Sequence, residues 1–218
     1  MKIGIIGAGR IGHALGVRFA AAGHEVMLSN SRGPDTLNDV VASIEGAVSA
    51  GTVEEAARFG DVDAVAIPTQ AIGDLPPEPF AGKLVIDANN YYPEPGRPVP
   101  ELDADKMTSS ELLASLLPGA IVVKAFNTIY FGRLLDDTHP ELDAEERLAI
   151  PIAADSADAK KTVSDLVAQI GFTAVDTGTL AETRRQQPRA PLYVAFADAR
   201  REGVLLTASH LRELLAGS

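Results

Sequence analysis

The sequence predicts an α/β fold, a doubly wound and mostly parallel sheet carrying a small C-terminal α/β extension. Three observations point to it. Short, near-continuous apolar runs alternate with stretches of helical periodicity, the pattern of strands buried on both faces between crossover helices. A glycine-rich run, Gly7-Ala8-Gly9-Arg10-Ile11-Gly12, stands where the first apolar run gives way to the first helical stretch. Extended sequence resumes straight after that helix, which completes a βαβ unit within about 30 residues.

Residues 2–6 form a β-branched strand ending at Gly7, and residues 11–22 place Ile11, Leu15, Phe19 and Ala22 on one helical face. Gly23 supplies the left-handed residue that ends the helix, and residues 24–28 run extended again. Further strands are expected at 63–67, 84–88 and 121–126, with helices at 52–59 and 109–117, the latter capped by Ser109 or Ser110. Beyond Pro140 a strand at 148–153, a helix at 158–170 and a strand at 172–176 are expected to extend the same sheet. The tail shows apolar periodicity through Leu205, Leu211, Leu214 and Leu215. The organisation expected is a nucleotide-binding part over 1–145 and an extension over 146–218 packed on the same domain.

Composition narrows the function classes. With 218 residues and 46% hydrophobic content the chain can bury a core, and no apolar run approaches the roughly 20 residues of a membrane span. A soluble, cytoplasmic protein is expected. Cysteine is absent, which removes disulfides, thiolate catalysis and iron–sulfur ligation. His13, His24, His139 and His210 are scattered without ligand spacing, so no metal is expected and surface or capping roles are assigned to them. A formal charge of −11 argues against a nucleic-acid partner and against anionic lipid, while a local basic pocket can still hold a phosphorylated small molecule.

The glycine run has the G-x-G-x-x-G spacing of a dinucleotide site, and its strand-to-helix context makes that reading strong. Gly7 permits the tight turn, Gly9 lets backbone approach a pyrophosphate, and Gly12 allows close packing of helix on strand. The first helix then offers unpaired N–H groups to the phosphates. At the end of the second strand an NAD site usually places Asp or Glu, yet here the residues are Ser29-Asn30-Ser31-Arg32. Hydroxyls and a guanidinium suit a 2′-phosphate that a carboxylate would repel, so NADP is the expected cofactor. Arg32 also reads as an ordinary solvated residue.

Ile67-Pro68-Thr69-Gln70 and Ala125-Phe126-Asn127-Thr128-Ile129 follow strand ends, where side chains flank a nicotinamide ring. The loop 89–98, rich in Pro and Tyr, reads equally as a cover for that site and as a structural turn. No Ser-Tyr-Lys set, zinc set or nucleophile elbow is present, and no catalytic acid or base is assigned; Lys124 and Asn127 tempt, but their spacing turns Lys124 the other way. Hydride transfer between two held rings needs positioning more than proton transfer.

With Gly7 to Gly12, Asn30-Ser31-Arg32, Ile67-Pro68-Thr69 and Val123-Lys124-Ala125-Phe126-Asn127-Thr128 located, the chain resembles the NADPH-dependent reductases of the deazaflavin coenzyme F420. It is also similar to the NADPH-binding domain of the STEAP metalloreductases. The resemblance runs from Met1 to about Leu192. It implies a Rossmann domain with a smaller C-terminal part, commonly a homodimer, that moves hydride between NADP(H) and the deazaflavin. By position, Gly9, Arg10 and Ile11 would meet the pyrophosphate, Ser31 and Arg32 the 2′-phosphate, Pro68 and Ala125 the nicotinamide, and Asn127 and Ile129 the deazaflavin. Asn127-Thr128-Ile129 departs from the His-Thr-Ile of archaeal deazaflavin reductases, and the Tyr91-Tyr92 loop departs too. An ordinary flavin, FMN or FAD, or an acceptor downstream of it, therefore stands as the alternative. A non-catalytic NADP(H) sensor is the reading of another class, and a β-hydroxyacid dehydrogenase is disfavoured because no long all-helical domain follows.

Overall fold

The computed structural model describes residues 1–217. Strand β1 (Lys2–Ile6) passes through the glycine turn into α1 (Arg10–Ala21) and returns as β2 (Glu25–Ser29). Gly23 ends α1 with φ +85, as its position requires. The chain continues through α2 (Asn38–Ala42), β3 (Val48–Gly51), α3 (Val53–Phe59), β4 (Val62–Val65) and β5 (Leu84–Asp87). Then come α4 (Pro100–Asp103), α5 (Ser109–Leu116), β6 (Ile121–Lys124) and α6 (Phe131–Asp136). The first six strands make one parallel sheet in the order β3-β2-β1-β4-β5-β6.

This is the Rossmann order, and its direction of winding reverses between β1 and β4. Buried residues alternate between the two faces. Ile3, Ile5 and Leu28 pack with Phe19 of α1, whereas Ile6, Val65 and Val85 pack with Ala56 of α3 and Leu113 of α5. A sheet covered on both sides needs apolar strands throughout, which is why the runs read as continuous. Asp63 is the exception in β4: it is fully buried, neither carboxylate oxygen accepts a hydrogen bond, and burial raises its pKa to about 8 against the pull of Lys83 at 3.9 Å.

Strand β3 was not expected. It is an edge strand of small residues, Val48-Ser49-Ala50-Gly51, with no apolar run to announce it. The cap of α5 is also corrected. Thr108, not Ser109 or Ser110, caps it in a capping box with Glu111, while the Ser110 hydroxyl donates to Asp87 Oδ2 at 2.7 Å. The Thr-x-x-Glu spacing carried that signal. His24 is likewise neither surface nor cap: it is buried edge-on against Phe19 at 5.9 Å, and burial lowers its pKa.

The C-terminal part consists of β7 (Ala149–Ile152), α7 (Ala157–Gln169), β8 (Thr173–Asp176), α8 (Pro191–Glu202) and α9 (Ala208–Ala216). The expected continuation of the large sheet is replaced by a separate parallel pair, β7-β8. Among the described residues only Ala153, just past β7, bridges to β6, through N–H to C=O bonds with Lys124 of 2.9 and 3.1 Å. Thr173 N–H bonds to Leu148 and Thr177 N–H to Ile152, so Ala149, Pro151 and Ala153 turn the other way, toward β6 and the chain before α9. Pro151 lacks the N–H that a continued ladder would need there. The buried side chains of both parts nonetheless form one continuous cluster, from Phe19 and Val123 to Phe172 and Leu211.

Candidate functional site

Gly7 sits at φ +106, where an L side chain is strained, and its N–H donates to Ser29 O at 3.0 Å. Gly12 lies so close below that a Cβ there would stand 1.7 Å from Gly7 O, so the helix can seat on the strand only without a side chain. Gly9 is the opposite case: a Cβ would meet nothing within 4 Å, because the space above the loop is open. No side chain caps α1, which leaves the N–H groups of its first turn facing that space. Open backbone, a bare helix N-terminus and no acid in the first turn make a cradle that fits a pyrophosphate.

On one side of the cradle a cavity of about 450 Å³ is lined by Gly7, Gly9, Asn30, Ser31, Arg32 and Pro68 among others, with Asp74 adding one carboxylate to its wall. Asn30 accepts from the Arg32 N–H at 2.9 Å and donates to Thr36 at 2.9 Å, which sets the turn. The Arg32 side chain is exposed and has no ion-pair partner among the described residues. Ser29 is a correction: its hydroxyl is fully buried and donates to Ile5 O at 3.0 Å, because an inward-facing strand residue must satisfy its polar atom within the sheet.

The other side is assembled from the loops after β4, β5 and β6. Asn89 accepts from Ile67 N–H at 2.8 Å, the Thr69 hydroxyl donates to Asn90 O at 3.1 Å, and Asn90 Nδ2 donates to Asn127 O at 2.7 Å. Asn127 Nδ2 donates in turn to Asn90 Oδ1 at 3.1 Å and to Gln186 O at 2.7 Å. Beneath them Lys124 is fully buried, with Nζ donating to Asp87 Oδ2 at 3.0 Å and Asn89 O at 2.5 Å. It lines none of the cavities around it and ties the loop at Asn89 to β5 from within the core.

Ile67, Pro68, Asn89 and Asn90 line a cavity of about 630 Å³ that shares Gly9 with the first and Arg10 and Ile11 with a third. That third cavity, about 490 Å³, is lined by Asn127, Thr128, Ile129, Tyr130, Tyr193 and Arg200 among others. The three form one trough along the carboxyl ends of the strands, across the reversal point of the sheet. Phe126 turns the chain into the third cavity from a left-handed φ of +64, a conformation costing on the order of 1–3 kcal/mol in a non-glycine residue. Its ring is fully buried and meets Phe19 edge-on at 6.4 Å, which holds the strained backbone in place.

Of the expected site residues, the trough brings together Gly7, Gly9, Arg10, Ile11, Asn30, Ser31, Arg32, Ile67, Pro68, Asn127 and Ile129. Gly12 supports the cradle from within the helix, and Thr69, almost wholly buried, ties loops together. Ala125 is fully buried below the surface and lines none of these cavities, a second correction, since β6 turns it into the core against α1. Sequence reasoning missed Tyr92 and Tyr193, whose hydroxyls share a 2.5 Å hydrogen bond across the trough, and also Arg133, Gln186 and Arg200. The two tyrosines are 101 residues apart, and no local pattern joins them. Burial, then the neighbouring hydroxyl, pushes the Tyr92 pKa strongly upward, so it stays protonated. Among the described residues no His or acid cluster suits a metal, and no helix is long and apolar enough to cross a membrane.

Comparison with known proteins agrees with this geometry. A family model described as NADP oxidoreductase, coenzyme F420-dependent, matches residues 2–91. The chain is 30% identical over 185 residues to metalloreductase STEAP3 of Rattus norvegicus, covering 84% of this chain and 35% of that protein. It is 28% identical over 210 residues to the F420-dependent NADP reductase of Methanothermobacter thermautotrophicus, covering 89% and 88% of the two chains. The crystal structure of hypothetical protein SMa0349 from Sinorhizobium meliloti superposes with a TM-score of 0.76 at 34% identity, over 88% of this chain and 92% of that one. The chain spans about a third of the length of the metalloreductases it matches.

Proposed function

For a chain that belongs to the coenzyme F420-dependent NADP oxidoreductase family, and is thereby an NADP-dependent oxidoreductase, we propose hydride transfer between NADP(H) and the deazaflavin coenzyme F420. The observation that carries the reading is the single trough, which runs from Arg32 past Gly9 and Ile11 to the cavity at Asn127 and Ile129. Its linked cavities suit two ligands end to end, with their reacting rings meeting near Ile11 and Asn90, which line both.

NADPH supplies two electrons and a proton as hydride, and the acceptor takes its second proton from solvent. The chain's own work is then binding and alignment. The Gly9 cradle takes the pyrophosphate, and Ser31 and Arg32 take the 2′-phosphate. Ile67 and Pro68 give the nicotinamide an apolar wall. Asn89 Nδ2 and Asn127 Oδ1 are buried without partners, an unspent donor and an unspent acceptor beside the rings. A carboxamide or the imide edge of a flavin-like ring has the complementary groups. The Lys124–Asp87 pair keeps the loops carrying these amides in register from beneath.

The metalloreductase likeness and Asn127 in place of histidine favour a second reading, in which an ordinary flavin is the acceptor. Anaerobic mixing of the protein with NADPH and, separately, the deazaflavin, FMN and FAD separates the two. Bleaching of the deazaflavin alone supports the proposal. Selective reduction of FMN or FAD transfers the function to the second reading, and inertness with tight NADPH binding makes the protein a sensor.

A further inference from the structure

We infer that Arg200, assisted by Arg10, holds the phosphate of the acceptor taken at Asn127 and so selects phosphorylated acceptors over neutral ones with the same ring. The inference rests on the acceptor reading given above and adds the residue that selects for the acceptor's phosphate.

The chain is acidic, with a formal net charge of −11, and among the described residues the exposed Arg58, Arg97, Arg184, Arg185, Arg201 and Arg212 are paired with carboxylates, while Arg32 and Arg189 are not. Arg201 contacts Asp198 one turn back in the same helix, and Arg212 holds Glu145 at 2.7 Å. Arg200 and Arg10 have no carboxylate partner among the described residues, yet both line the acceptor cavity. Each is held over a ring instead: the Arg200 guanidinium lies 4.6 Å from the centre of Tyr130, and that of Arg10 lies 5.2 Å from the centre of Phe131. The two rings touch, with centres 4.3 Å apart. A guanidinium held over a ring keeps its N–H groups available for a phosphate or carboxylate.

Arg133 supplies the contrast. It lines the same cavity, but its N–H groups go to Val204 O at 2.5 Å and Ala199 O at 3.4 Å, and its Nε faces Asp137 at 3.3 Å. It is committed to the fold, and Arg200 is not. The floor of the cavity points to a ligand independently. Asn127 Oδ1 and Thr128 Oγ1 are buried there with no partner among the described residues, and a ligand in this cavity could complete them. A planar ring reaching those atoms would leave its side chain running out past Tyr130 toward the two guanidiniums.

The test uses two matched pairs, 5-deaza-FMN with 5-deazariboflavin and FMN with riboflavin, with NADPH saturating and oxygen excluded. Wild-type protein is expected to favour the phosphorylated member of the reduced pair in kcat/KM. Arg200→Ala is expected to cut that ratio about tenfold, Arg200→Lys to keep part of it, and salt to erode it. An unchanged ratio in folded Arg200→Ala protein overturns the inference even if deazaflavin turnover is brisk. A phosphate-dependent ratio confined to the flavin pair upholds Arg200 and overturns the deazaflavin reading. If none of the four is reduced, quenching of FMN and riboflavin fluorescence decides: binding that needs the phosphate and Arg200 upholds the inference, and equal binding overturns it.

Discussion

Arg32→Ala isolates the contribution of the cofactor's 2′-phosphate from everything else the trough does. The Arg32 backbone is fixed by its N–H bond to Asn30 at 2.9 Å, while its side chain is exposed beside Ser31 on the 450 Å³ cavity and packs on nothing that the fold requires. A hydrogen bond to a charged group contributes about 1.5–3 kcal/mol, and solvent at this rim holds the value to about 2, roughly thirtyfold in Kd. NADH offers no group to lose. Titration of both cofactors by calorimetry, at low and at high salt, should therefore show NADPH affinity falling about thirtyfold and NADH affinity within about twofold, with the NADPH effect shrinking as salt screens the pair. Thermal stability should stay within about 0.5 kcal/mol of wild type, as for other surface substitutions. Equal losses for the two cofactors would refute the placing of the 2′-phosphate at Arg32.

Three further outcomes are expected. Gly12→Ala, whose Cβ would meet Gly7 O at 1.7 Å, should destabilise the fold by about 1–3 kcal/mol in urea titration, whereas Gly9→Ala, with nothing within 4 Å, should leave stability alone and weaken NADPH binding. The paired measurements fail if Gly9→Ala keeps full affinity. Asp63 holds its proton to about pH 8 when folded and loses it near 3.8 when unfolded, so stability is fullest in acid and falls as pH rises through that window, by at most about 6 kcal/mol. Urea midpoints at pH 5 and 9 should converge in Asp63→Asn, and an unaltered slope would place the effect elsewhere. Tyr193→Phe removes the 2.5 Å bond to Tyr92; amide exchange in the 89–98 loop should quicken and the acceptor KM rise a few-fold, and an unmoved loop would show the hydroxyl pair to be incidental.

What could be read from the sequence divides by distance along the chain. The cradle was legible because each of its requirements is local: a turn at Gly7, an open approach at Gly9 and a close seat at Gly12 all fall within one strand–helix unit. The strands of the large sheet were legible because burial on both faces writes them as apolar runs. Edge strand β3 escaped for the same reason in reverse, since an edge needs no such run. The small sheet was misplaced because one residue, Pro151, decides which side of a strand can pair, and periodicity does not record the direction of an N–H.

The acceptor end is where local reading stops. Lys124 reaches Asp87 across 37 residues and Tyr92 reaches Tyr193 across 101, and Arg200 comes to Tyr130 from a helix whose own periodicity advertises only its buried face of Leu192, Phe196 and Ala199. Phe126 adopts a glycine-like φ that its side chain disfavours, so the turn presenting Asn127 is imposed by the packing of Phe126 on Phe19 rather than by local preference. The end of the trough at Gly7 to Gly12 is thus built from short-range rules, and the end at Asn127 from contacts between elements far apart in the chain. Exchanging α8, which supplies Tyr193 and Arg200, is therefore expected to move acceptor preference while leaving NADPH affinity in place, and an unmoved preference would confine acceptor choice to the loops carrying Tyr92 and Asn127.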